Sequence, residues 1–144
     1  MPHRPEVNLL LVEDNQLDVK IFRRALNSAG LDHPIQVAGN GVEALAALRG
    51  EGDDPPVERP NVVLLDINMP RMNGLEFLRE LRADPELRNQ VVFVLSTSDA
   101  EHDRERVYEY NVAGYLLKCS AGEDFVDTVR MLGKYMEKVR LPLH

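Results

Sequence analysis

Asn61-Val62-Val63-Leu64-Leu65-Asp66-Ile67-Asn68-Met69-Pro70-Arg71-Met72-Asn73-Gly74 is the stretch on which the reading of this chain turns. Val62 to Leu65 is an unbroken apolar run, partly β-branched, the composition of a strand buried on both faces. Pro60 precedes it, and Met69-Pro70 with Asn73-Gly74 marks a loop after it. A carboxylate, Asp66, therefore stands at the C-terminal end of a buried central strand. In open parallel sheets ligands bind at that edge. Burying each apolar side chain of the run is worth about 1.5–3 kcal/mol, so a group at the strand tip is held firmly.

Upstream, Val7 to Val12 reads as a first strand with Glu13-Asp14-Asn15 directly after it. Leu17, Ile21, Phe22, Ala25, Leu26 and Ala29 recur at helical spacing up to Gly30. Pro34 to Ala38 reads as a second strand. Asn40 and Glu43 suggest a capping box opening a second helix with an apolar stripe of Val42, Leu45 and Leu48. Residues 50–60, with two glycines and three prolines, form a surface connection.

Downstream, a helix from Gly74 presents Phe77, Leu78 and Leu81 on one face and breaks at Asp84-Pro85. Val91 to Leu95 reads as a fourth strand, with Ser96-Thr97-Ser98 at its tip and a capping box from Ser98 to Glu101. The next helix, about Asp99 to Tyr110, has little apolar content beyond Ala100, Val107, Tyr108 and Tyr110. A helix so weakly packed is the candidate mobile element, set against a merely well-solvated one. Val112 to Leu117 reads as a fifth strand ending at Lys118. Ser120 and Glu123 suggest a third capping box, and Phe125, Val129, Leu132, Met136 and Val139 give the last helix its stripe. Strand and helix alternate throughout, which predicts an α/β fold: a doubly wound parallel sheet with helices on both faces and right-handed crossovers.

The 144 residues fit one domain. Apolar and charged fractions of 44% and 28% are ordinary for a globular protein. No apolar run approaches the roughly 20 residues of a membrane span, and Met1 to Glu6 lacks the apolar segment of a signal peptide. Cys119 is the one cysteine, so a reducing cytoplasmic location is expected. A net charge of -7 disfavours nucleic acid or an anionic membrane as partner. His3, His33, His102 and His144 show no metal-ligand spacing.

Four strands bring functional groups to the same end: Glu13 and Asp14 from the first, Asp66 from the third, Ser96 from the fourth, Lys118 from the fifth. In a five-stranded doubly wound sheet these strands can be neighbours, with the second at an edge. Three nearby carboxylates repel unless a cation is present or some protonate, and such oxygen ligands suit Mg²⁺. Lys118 adds a further positive charge. Asp can form a covalent acyl-phosphate, and Mg²⁺ with Lys would offset charge on the equatorial oxygens of a transferred phosphoryl group. Taken singly, each residue has a plainer role. Asp66 could form a turn, Glu13-Asp14 could precede and cap the first helix, Ser96 could cap, and Lys118 could snorkel at the surface. Their joint occurrence favours chemistry.

Val12-Glu13-Asp14-Asn15, Leu65-Asp66-Ile67-Asn68-Met69-Pro70-Arg71-Met72-Asn73-Gly74, Ser96-Thr97-Ser98 and Tyr115-Leu116-Leu117-Lys118 closely resemble the motifs of the receiver domain of two-component response regulators. The resemblance covers about Val7 to Val139, which implies a receiver domain over residues 1–139 and a short tail over 140–144. It implies the flavodoxin-like strand order 2-1-3-4-5. It also implies that Glu13, Asp14, Asp66 and the backbone carbonyl of Asn68 hold Mg²⁺. Asp66 would accept a phosphoryl group from a phosphohistidine of a sensor histidine kinase. Ser96 would bond a phosphoryl oxygen, Lys118 would pair with it, and Tyr115 would change rotamer as part of the switch. The expected molecule is a phosphoacceptor signalling protein that promotes its own phosphotransfer and dephosphorylation, not an enzyme acting on a separate substrate.

The family usually has proline after the lysine, often through a cis bond; this chain has Cys119-Ser120. A cis bond before a non-proline residue costs roughly 2.5–4 kcal/mol. The Lys-small-Ser variant, the Asp84-Pro85-Glu86-Leu87 insert and the Leu141-Pro142-Leu143 tail resemble stand-alone receivers that serve bacterial phytochrome kinases. Too few residues follow the last helix for an output domain, so action by protein contact, as a phosphate sink or as a relay is expected.

Other classes remain open at this point. A flavodoxin-like FMN carrier would share the fold, but Glu13-Asp14 would repel a phosphate after the first strand. A phosphatase with an aspartate nucleophile would need a cap insertion. A receiver-like scaffold could bind without phosphorylation. A homodimer through the C-terminal helix and tail is also expected, because Val126 and Tyr135 lie off the core stripe and Leu141 and Leu143 follow with no element to cover them.

Overall fold

The apolar runs become the strands of one sheet. They are Asn8–Val12 (β1), Ile35–Ala38 (β2), Asn61–Asp66 (β3), Val91–Ser96 (β4) and Gly114–Leu117 (β5). The helices between and after them are Gln16–Ser28 (α1), Gly41–Arg49 (α2), Gly74–Ala83 (α3), Glu101–Tyr108 (α4) and Glu123–Lys138 (α5). A computed structural model of the chain describes residues 6–52, 56–67, 69, 72–97, 101–118 and 123–143, with the backbone alone at 123 and 124. All strand pairs are parallel, in the order β2-β1-β3-β4-β5.

Side chains alternate across the sheet, so each buried strand feeds two cores. Leu10, Val12, Val63, Leu65, Val92 and Val94 face α2, α3 and α4. Leu9, Leu11, Val62, Leu64, Phe93 and Leu95 face α1 and α5. β3 is buried along its whole length, as its composition predicts. Its register sets the site. Val12 lies opposite Leu65, Asp66 opposite Leu95, and Ser96 opposite Leu117, so the tips of β1, β3, β4 and β5 end together.

The turn after β3 is closed by Asn73-Gly74. Asn73 caps α3 in a reciprocal capping box with Glu76. Gly74 donates its N–H to the carbonyl of Ile67 at 3.1 Å. A Cβ on Gly74 would lie 2.5 Å from the Ile67 Cα, so the close approach of α3 to this loop requires glycine.

Several local expectations are corrected. Leu17 is 65% exposed and Val42 is exposed, so neither belongs to a core stripe. α1 buries Phe22, Ala25 and Leu26 instead, and α2 buries Ala44, Leu45 and Ala47. Asn15, rather than Glu13 or Asp14, caps α1 through bonds from the N–H groups of Leu17 and Asp18. Asn40 caps α2 as expected, but the Glu43 carboxylate accepts from the Gly39 N–H instead of closing the box on Asn40. β5 begins at Gly114, with Val112 buried ahead of it. The boxes expected at Ser98 and Ser120, and Ala100, fall outside the described residues. α4 is weakly packed as predicted: Val107 is its buried side chain and Tyr108 is exposed.

The surface set offered for dimerisation is largely accounted for within the chain. Val126, Tyr135 and Leu141 pack against the α1/α5 core. The Tyr135 ring meets Phe93 edge-on with centroids 4.9 Å apart. After α5 the chain runs back beneath the sheet, where Val139, Leu141 and Leu143 line a cleft with Val7, Pro60 and Met136.

Candidate functional site

β1 delivers Glu13 and Asp14. The Glu13 N–H still bonds the Ala38 carbonyl at 2.9 Å, which extends the β1–β2 ladder by a residue and holds the Glu13 backbone. Its side chain is buried, with one carboxylate oxygen accepting the Asn15 N–H at 3.1 Å; Asp14, the next residue, is exposed. β3 delivers Asp66, buried at 8% exposure. Glu13, Asp14 and Asp66 each offer a carboxylate oxygen, and these lie within 4.8 Å of one another.

β4 delivers Ser96, which is fully buried. Strand alternation turns it away from Leu95 and toward the α2/α3/α4 side, where the half-buried Tyr115 of β5 also packs. The Lys118 N–H bonds the Ser96 carbonyl at 2.7 Å, so the residue after β5 is tied to the end of β4. The Lys118 ammonium then reaches across the site. It donates to Glu13 Oε2, to Asp66 Oδ2 at 3.3 Å and to Asp18 Oδ2 at 3.2 Å.

The charges are unbalanced, and titration reflects this. Burial pushes the Glu13 carboxyl up to about 7 from 4.5, with the Asp66 charge adding to the rise and Lys118 opposing it. Burial works against the Lys118 charge too, but the hydrogen bond to Glu13 and the charges of Asp66, Glu13 and Asp18 outweigh it and raise its pKa. Both directions hold together because one ammonium is shared by three carboxylates: the lysine stays charged and a carboxyl takes up the excess proton.

Each sequence-predicted side chain of the acid–lysine set thus arrives at one place. The carbonyl of Asn68 and the bond between Lys118 and Cys119 fall outside the described residues. Asp18 joins this set without belonging to any of the motifs. It stands three residues past the Asn15 cap, in the first turn of α1, and reads locally as a helix N-terminal acid. That helix N-termini follow the strand tips in this fold class was the available signal.

The model of the response regulator receiver domain matches residues 9–130. The chain belongs to that family. Response regulator Rcp1 of Synechocystis sp. is 34% identical over 139 residues, spanning 96% of this chain and 95% of its own. The crystal structure of the phosphorylated cyanobacterial phytochrome response regulator RcpA superposes with a TM-score of 0.85 at 33% identity, covering 96% of this chain and 99% of that one. The Mn²⁺-bound form of Rcp1 gives 0.82 at 35%, again over 96% and 99%. The strand order is the receiver's, and receiver domains are phosphoacceptor signalling proteins that bind a divalent metal. The acid triad fits such an ion: its oxygen donors are hard and close together, and its exposed member, Asp14, faces solvent that can supply water ligands. Among the described residues no helix is long and apolar enough to cross a membrane.

Proposed function

We propose that this receiver takes a phosphoryl group onto Asp66 from a phosphohistidine of a sensor histidine kinase. The observation that carries the reading is the Lys118 ammonium bonded to Asp66 and Glu13 at the rim of the carboxylate triad. A carboxylate oxygen of Asp66 attacks phosphorus, the P–N bond breaks, and its electron pair stays on the imidazole nitrogen. The product is an acyl phosphate on Asp66. Mg²⁺, when bound, neutralises charge on the transferred group. Glu13, Asp14 and Asp66 would hold the ion, and the backbone carbonyl of Asn68, outside the described residues, is proposed as a further ligand. Lys118 donates to a phosphoryl oxygen and the Ser96 hydroxyl to another. Tyr115 follows Ser96 on the α4 side, which makes the weakly packed α4 the element that changes its contacts. Attack of water on the same phosphorus breaks its bond to the Asp66 oxygen, releases inorganic phosphate and returns Asp66 to its carboxylate.

Moving a two-state element from 1:99 to 99:1 takes about 5.5 kcal/mol. One hydrogen bond from Ser96 to a charged group supplies about 1.5–3. Lys118 and the metal therefore share the switching load. The receiver unit runs to residue 139, where α5 has ended, and the remaining residues are a tail. Similarity to RcpA and Rcp1 supports a kinase of the bacterial phytochrome type as donor. The location proposed here is the cytoplasm, a reducing compartment in keeping with the lone Cys119. Of the residues on which a homodimer was expected, Leu143 is exposed, and Met131 of α5 is exposed as well; sedimentation at tens of micromolar, with and without beryllofluoride, decides whether a homodimer forms.

Labelling tests the phosphoacceptor. Acetyl phosphate with Mg²⁺ is expected to modify the wild type and leave Asp66→Asn unmodified. Comparable labelling of Asp66→Asn would overturn the assignment.

A further inference from the structure

We propose that Asp18 is a positioning residue for phosphoryl transfer, one that holds the Lys118 ammonium on the α1 side and competes for it with the phosphorylated Asp66. The inference rests on the function proposed above and deepens it.

An ammonium has three N–H donors and no acceptor. In the resting site carboxylates of Glu13, Asp18 and Asp66 all bond it, so its donors are engaged. To donate to a phosphoryl oxygen, Lys118 must loosen one of these bonds. Two of the three partners would be altered by the reaction: Glu13 is among the carboxylates that would hold the metal, and the Asp66 carboxylate becomes an acyl phosphate. Asp18 is altered by neither. Its carboxylate is not among the oxygens that converge on the metal position, and it is not the phosphoacceptor.

Asp18 is also built in. It lies in the first turn of α1, its N–H bonded to the Asn15 side chain at 3.2 Å, where the helix dipole favours a negative charge. Its side chain is 37% exposed, against 13% for Lys118, so it is the wetter end of the pair and can follow the ammonium. Below the lysine stem, Leu11, Phe22, Leu95 and Phe125 line a cavity of about 40 Å³ shared by Asp18 and Lys118, which gives the stem room to shift. Asp18 is thus a standing counter-ion that weakens the hold of Lys118 on the phosphoryl group.

Beryllofluoride, a mimic of the phosphoryl group, is the probe, titrated into the full chain at saturating Mg²⁺. Asp18→Asn is expected to bind it about three- to ten-fold more tightly than wild type, within the lower part of the range for coupling between directly contacting residues. Asp18→Glu is expected to restore wild-type affinity. In a Lys118→Met background, Asp18→Asn is expected to change affinity less than two-fold, because the competition requires the ammonium. A gain of the same size in that background would mean a simple through-space charge effect and would overturn the proposal. So would wild-type affinity in Asp18→Asn. The Lys118 Nζ resonance of metal-free protein gives a second reading; no shift on Asp18→Asn also overturns it. Failure of the wild type itself to bind beryllofluoride with Mg²⁺ would strike the phosphoacceptor reading instead.

Discussion

The Lys118 ammonium stands 3.3 Å from the Asp66 carboxylate across 52 residues of sequence, and the same ammonium is shared with Glu13 and Asp18. One cation among so many anions makes the metal-free site a source of instability that the fold tolerates for its chemistry. Removing an acid from it should therefore help folding. Asp66→Asn is expected to raise metal-free stability by about 1 kcal/mol, a Tm increase of about 2–4 °C for a chain of this size. Lys118→Met should do the opposite, by about 3 kcal/mol, since it leaves Glu13 and Asp66 buried with no cation. Thermal melts in EDTA check both signs.

Glu13 sets a pH dependence. Its folded pKa of about 7 lies above its ordinary 4.5. Between those values the native state binds more protons than the unfolded chain, so metal-free stability falls as pH rises from about 4.5 to about 7 and then levels. Mg²⁺ must displace that proton. Its affinity is expected to rise with pH up to about 7 and to plateau above, with proton release on binding below the plateau. Calorimetric titrations in two buffers of different ionisation enthalpy check this.

The loop that carries the site depends on a missing side chain. Gly74→Ala puts a Cβ against the Ile67 backbone and is expected to cost about 1–3 kcal/mol. Asn73→Ala, which removes the cap of α3 without a clash, is expected to cost about 1 kcal/mol. Urea unfolding of the two variants separates steric conflict from lost capping.

Arg82 pins the far end of α4. Its guanidinium donates to the carbonyls of Tyr110 at 2.7 Å, Arg88 and Gln90 at 2.8 Å, and Asn111 at 3.1 Å. Arg82→Ala is expected to cost about 1–3 kcal/mol, the range for leaving partly buried acceptors without a partner. Amide exchange should accelerate around residues 88–92 and 107–113 while the strand tips near Asp66 stay protected.

The sequence by itself determined the alternation of strands and helices, the burial of β3, and the placing of acids, hydroxyl and lysine after strands. These are local properties: an apolar run, a period and a terminating residue report what each segment does on its own. It also marked α4 as poorly packed, because so few of its side chains could be buried anywhere. Only the tertiary structure decided which faces meet. Leu17 and Val42 match the helical period but point to solvent, since periodicity does not say where along a helix the sheet ends. Tyr135 lies off the stripe yet rests on Phe93, because a wide helix–sheet contact buries flanking positions as well. Asp18 joined the site through the register that sets Val12 opposite Leu65 and so stands the first turn of α1 beside Lys118. Register and helix docking are settled by the summed burial of both cores, a quantity that belongs to the assembled chain and to none of its segments.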